Sequence, residues 1–95
     1  MAESGLVVRV FTHPACGGCG AAVKQAWEVA RGSAAVEVRT VSLENKEGLA
    51  EARREGVRTI PTVILATVDE ELERWVGTPP PGALAVAVGE SAARG

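Results

Sequence analysis

The chain has 95 residues, a formal net charge of −2, and is 46% hydrophobic and 23% charged. That length holds one hydrophobic core, so a single domain over residues 1–95 is expected. Mild acidity and only three aromatics, Phe11, Trp27 and Trp75, leave neither the basic footprint nor the stacking surface that nucleic acid requires. The longest apolar stretches, Val63 to Ala66 and Ala83 to Val88, fall far short of the roughly 20 residues that span a bilayer, so no membrane partner is expected. Met1-Ala2-Glu3-Ser4-Gly5 carries no cationic segment followed by an apolar run. The expectation is therefore no signal peptide and a cytoplasmic location.

Leu6 to Phe11 reads as a buried strand, nearly continuous in apolar character as central parallel strands are. Next comes Pro14-Ala15-Cys16-Gly17-Gly18-Cys19-Gly20, which holds the only two cysteines. Beyond it Cys19, Ala22, Val23, Ala26, Trp27 and Ala30 recur at three- and four-residue spacing, predicting a helix with these residues inward and Gly32 as its stop. Both tryptophans are expected in the core or a groove. Val36 to Leu43 predicts a second strand. Asn45 is placed to cap a helix from Lys46 to Glu55 with Leu49 and Ala52 inward, and Gly56 suits the C′ position. Thr62 to Ala66 is a third strand. After a polar turn around Val68-Asp69, Leu72 to Val76 is a fourth. Thr78-Pro79-Pro80-Pro81 is predicted to start a last helix through Val88, with Gly89 weakening its end.

The resulting order is β-α-β-α-β-β-α. The first two strands, joined through a helix, are expected parallel with a right-handed crossover, and the last two are close enough for an antiparallel hairpin. The predicted class is therefore α/β, a four-stranded mixed sheet with helices on both faces.

A cysteine pair between strand and helix is suited to reversible disulfide formation. The helix N-terminus presents unpaired N–H groups and partial positive charge, which favour thiolate over thiol. In that geometry Cys16 lies at the exposed turn and Cys19 points inward one turn later. Cys16 is thus the expected attacking thiolate, and Cys19 the thiol that resolves the mixed disulfide. Gly17 and Gly18 leave the surface above them open. His13, the only histidine, is a candidate modulator of the thiolate when protonated. Two cysteines so close together close too small a loop to staple a fold, which favours redox chemistry or a metal site. For a metal they supply half of a tetrahedral set. A second reading is therefore a metal or [2Fe-2S] module sharing four thiolates across a dimer. A third is a redox-silent adaptor.

With Thr59-Ile60-Pro61-Thr62 about forty residues beyond the cysteines, the chain resembles the thioredoxin superfamily. The similarity runs from about Leu6 to Val88 and includes Gly56 to Thr62 and Val76-Gly77. It implies a thioredoxin-like fold and a protein-disulfide oxidoreductase that needs no cofactor or metal. It also implies a cis bond before Pro61, with the backbone of Ile60 extended beside the nucleophilic sulfur to take a substrate chain as an added strand. The residues it assigns to substrate binding are Ala15, Gly17, Gly18, Ile60, Pro61 and Gly77. Protein disulfides as substrates, a flavoprotein reductase as electron donor and a monomeric state follow as expectations. Four departures stand out. The chain begins, like glutaredoxins, at the strand feeding the cysteines, and Gly-Gly replaces the Gly-Pro of most thioredoxins. The buried acid and its lysine partner fall at Val10 and near Ser42, so proton removal from Cys19 is left to water or another group. Gly77-Thr78-Pro79-Pro80-Pro81 stands where glutaredoxins bind glutathione, which argues against glutathione dependence.

Overall fold

β1 spans Leu6–Thr12, α1 Cys19–Arg31, β2 Val36–Ser42, α2 Lys46–Glu55, β3 Thr62–Ala66, β4 Glu71–Val76 and α3 Ala83–Arg94. The computed structural model describes residues 5–94; the segment 1–4, read above for a leader, lies outside them. The strands form one sheet in the order β2-β1-β3-β4, with β1 and β2 parallel and the remaining pairs antiparallel. On one face Val8, Val10, Val63 and Leu65 pack against Ala22 and Ala26 of α1 and Leu84, Ala87 and Val88 of α3. On the other, Phe11, Val41 and Ile64 meet Ala52 of α2 and Val57. The sheet is thus covered by helices on both faces, as the periodicities predict.

The ends of α2 follow from local chemistry. The Asn45 side chain accepts a hydrogen bond from the Gly48 N–H at 2.7 Å, meeting one of the helix's orphan donors. Gly56, at φ 73°, ends the helix in the left-handed region where a Cβ is penalised. Arg9, on central β1, reaches across to α2, donating to Glu51 at 2.9 Å and Glu55 at 3.3 Å. Burial alone lowers the pKa of this guanidinium, but the two carboxylates outweigh it and hold it above its ordinary value.

Four expectations are corrected. Leu49 does not face inward: the buried pair on α2 is Gly48 and Ala52, one turn apart, and Leu49 lies about 100° round the helix from Gly48. Trp27 is 49% exposed, because α1 meets the sheet through the small side chains of Ala22 and Ala26, leaving the bulky indole on the helix flank. Trp75 is partly buried against the core. The last helix begins at Ala83, not in the proline run. Thr78, Pro79 and Pro80 each precede a proline and are pushed out of the helical region, and Gly82 sits at φ 83°. Gly89 does not end α3, which carries buried Ala87 and Val88 just before it and runs on to Arg94.

A Cβ added at Gly48 would overlap the Ser42 backbone carbonyl. Gly48→Ala therefore sets an overpacking cost of about 1–3 kcal/mol against a helix-propensity gain of at most about 1 kcal/mol. The expected outcome is a lower denaturant midpoint at unchanged slope. A more stable variant would contradict this packing.

Candidate active site

The register of the sheet brings distant parts of the chain to one end. Phe11 pairs with Thr62, and Thr62 with Val76, so the loop leaving β1, the loop entering β3 and the loop leaving β4 lie side by side. The first loop carries His13 to Gly18. Its turn is held by the Cys16 N–H donating to the His13 carbonyl at 2.9 Å and the Ala15 N–H donating to His13 Nδ1 at 3.0 Å. The imidazole of His13 is thus engaged with the main chain of its own loop.

α1 then starts at Cys19, with Gly18 as an N-cap that offers no side-chain acceptor and with no acidic residue in the first turn. The positive end of the helix is left uncompensated by side chains beside Cys16. Cys16 and Cys19 are joined in a disulfide, with Cα atoms 5.5 Å apart. Burial separates them: Cys16 is half-buried, whereas Cys19 is 5% exposed. Ala15, Gly17 and Gly18 are exposed around the bridge.

The second loop supplies Ile60 and Pro61, joined by a cis peptide bond. Pro61 is buried and Ile60 half-buried against the α2-side core. The turn is closed by the Thr62 hydroxyl, which donates to the Thr59 carbonyl at 2.5 Å. The third loop begins at Gly77, whose N–H donates to the Pro61 carbonyl at 2.7 Å and whose φ of 97° disfavours any side chain. Cys16, Cys19, Ala15, Gly17, Gly18, Ile60, Pro61 and Gly77, scattered in sequence, thus share one end of the sheet. Val10, in the core, is fully buried among apolar neighbours, and the Ser42 hydroxyl accepts from the Glu44 N–H at 3.2 Å. Neither position offers an ionisable group. Among the described residues no three His, Cys, Asp or Glu side chains converge as a metal site would require, and no helix is long and apolar enough to cross a membrane.

Two further contacts carry no signature in the sequence. Gln25 Nε2 on α1 donates to the Pro79 carbonyl at 2.7 Å, and the Thr78 hydroxyl lies 3.4 Å from the Gly18 carbonyl it donates to. Only the folded register reveals either partner.

No protein-family model matches the sequence, and no curated protein matches it. Solved structures do. Thioredoxin from Trypanosoma brucei brucei superposes with a TM-score of 0.80 at 25% identity, covering 98% of this chain and 80% of that one. Thioredoxin-2 of the malaria parasite gives 0.80 at 20% identity, over 95% and 86%. The chain has the thioredoxin fold. Thioredoxin 1 from Thermosipho africanus TCF52B extends the likeness to 16% identity, with a TM-score of 0.80 over 93% of this chain and 96% of that one. Architecture is thus retained where most side chains differ, and in this thioredoxin fold the cysteine pair stands at the strand-to-helix junction.

Thr62 is buried while Thr59 is exposed, so loss of the Thr62 hydroxyl returns the Thr59 carbonyl to water. Thr62→Val is expected to lower stability by about 0.5–1.5 kcal/mol, the net worth of one hydrogen bond, measured by urea unfolding. An unchanged midpoint would show that the turn before Pro61 is held by other means.

Proposed function

We propose that this chain is a thiol–disulfide oxidoreductase that reduces protein disulfides through Cys16 and Cys19. One observation carries the reading. A half-buried Cys16 is bonded to a buried Cys19 at the uncapped start of a helix, beside the Ile60–Pro61 bond. Each cysteine satisfies the other, which supports redox use over metal binding across a dimer.

The reaction runs by two exchanges. The thiolate of reduced Cys16 attacks one sulfur of a substrate disulfide, forming a mixed disulfide and releasing the other substrate sulfur as a thiolate, which takes up a proton. Cys19 then loses its proton and attacks the Cys16 sulfur. The Cys16–Cys19 bond forms, the mixed disulfide breaks, and the second substrate sulfur departs as a thiol. Two electrons pass from the protein to the substrate. The α1 N-terminus favours the Cys16 thiolate. Neither Val10 nor Ser42 can take a proton, so the Cys19 proton leaves to solvent or to the departing substrate thiolate. Ile60 offers main-chain groups to an extended substrate segment, and Ala15, Gly17, Gly18, Pro61 and Gly77 form the surface around it. Neutral His13 acts on the loop by accepting from Ala15 at Nδ1, whereas protonation of that nitrogen ends the bond and adds positive charge near Cys16.

The reading extends to a single-domain monomer over residues 1–95, cytoplasmic, with no bound cofactor. Its disulfide is reduced again by a flavoprotein reductase.

Cys16→Ser is expected to drop insulin reduction, with dithiothreitol as donor, to the uncatalysed rate. Cys19→Ser keeps the first exchange and accumulates a mixed disulfide through Cys16, seen as a mass adduct that dithiothreitol removes. Wild-type turnover by Cys16→Ser would refute the reading.

A further inference from the structure

Three consecutive residues after β4 each hold a different part of the site. The Gly77 N–H donates to the Pro61 carbonyl at 2.7 Å. The Thr78 hydroxyl donates to the Gly18 carbonyl at 3.4 Å. The Pro79 carbonyl accepts from Gln25 Nε2 at 2.7 Å. The segment therefore touches the proline loop, the cysteine loop and α1 in turn. It is also stiff, since Pro79, Pro80 and Pro81 have fixed φ and each restricts the residue before it. Pro79 is fully buried, so its end of the segment is set in the core.

The turn held by His13 reaches only as far as Cys16, and the stretch beyond it is spanned, apart from the disulfide, only by the Cys19 N–H donating to the Cys16 carbonyl at 3.4 Å. Gly17 and Gly18 carry no side chains, and a Cβ built at either would meet nothing within 4 Å. Such a dipeptide has wide conformational freedom. Its position relative to Pro61 needs an outside restraint, and the segment 77–79 is in contact with both sides.

We infer that Gln25 and Thr78 are positioning residues: through the rigid Gly77–Pro79 segment they fix the gap between the Cys16–Cys19 loop and the Pro61 edge, and so govern reaction with protein disulfides. The inference rests on the oxidoreductase reading above. A protein substrate must engage the Ile60 backbone and present its disulfide to Cys16 at once, so its rate depends on that gap. A small disulfide needs only the Cys16 sulfur and is indifferent to it.

The test compares two oxidants in single-turnover oxidation of the pre-reduced protein, followed by acid quench and thiol alkylation. The oxidants are insulin and bis(hydroxyethyl) disulfide. Gln25→Leu removes the donor at similar size. Its rate with insulin is expected to fall about two- to tenfold, the equivalent of one hydrogen bond, while its rate with the small disulfide stays within about twofold. Thr78→Val shifts the same ratio in the same direction, and Thr78→Ser, which keeps the hydroxyl, restores it. Should Gln25→Leu fail to fold, the two Thr78 variants decide. Equal loss with both oxidants, or no loss with insulin, overturns the positioning role and leaves the oxidoreductase reading intact. A wild-type protein that reacts with neither oxidant overturns both.

Discussion

The antiparallel register of β1 against β3 is the constraint on which the site depends. Phe11 opposite Thr62 places the end of one central strand beside the start of the other, so the cysteine loop and the Ile60–Pro61 turn meet although they are about forty residues apart. A slip of β1 by one residue would turn Val8 and Val10 out of the α1/α3 core and bring Arg9 into it. Burying a guanidinium there without its carboxylates is prohibitive. The same alternation that fills the core thus sets the distance between the two halves of the site, and packing and chemistry share one cause.

Burial divides the cysteine pair. Cys19 starts α1 facing the sheet, level with the buried alanines that follow it, while Cys16 stays in the preceding turn where solvent and the helix terminus both reach it. The inward placement of Cys19 follows from the periodicity of α1, and the exposure of Cys16 from its place in the turn before the helix begins. Val10, on the strand that leads to them, is buried among apolar side chains and offers no ionisable group. Deprotonation of Cys19 in the proposed cycle therefore belongs to water and the departing thiolate.

What could be read from the sequence was what local chemistry determines. Asn45 and Gly56 mark the ends of α2 because a side-chain acceptor and a residue free of Cβ are needed there, and both demands are met within one turn. Cys16, Cys19 and Pro61 are legible because few residue types perform their roles. Features set by distance in space were not legible. Gly48 is required by the approach of the Ser42 carbonyl, Trp27 is turned outward by the close seating of two alanines, and Gln25 finds its partner 54 positions away in a proline carbonyl. The start of α3 lay between these cases. Proline at a helix's first position favours an early start, but a run of three prolines forbids it for each residue ahead of the last, and that second rule prevails.

The central claim is that the Cys16 sulfur is an anion near neutral pH, held so by the amides and dipole of α1. The ultraviolet absorbance of the thiolate, followed against pH in the reduced protein and in Cys19→Ser, measures it directly. The account predicts that one thiol, retained in Cys19→Ser, titrates well below the ordinary cysteine value of about 8.5. Titration of that thiol at or above this value would contradict it.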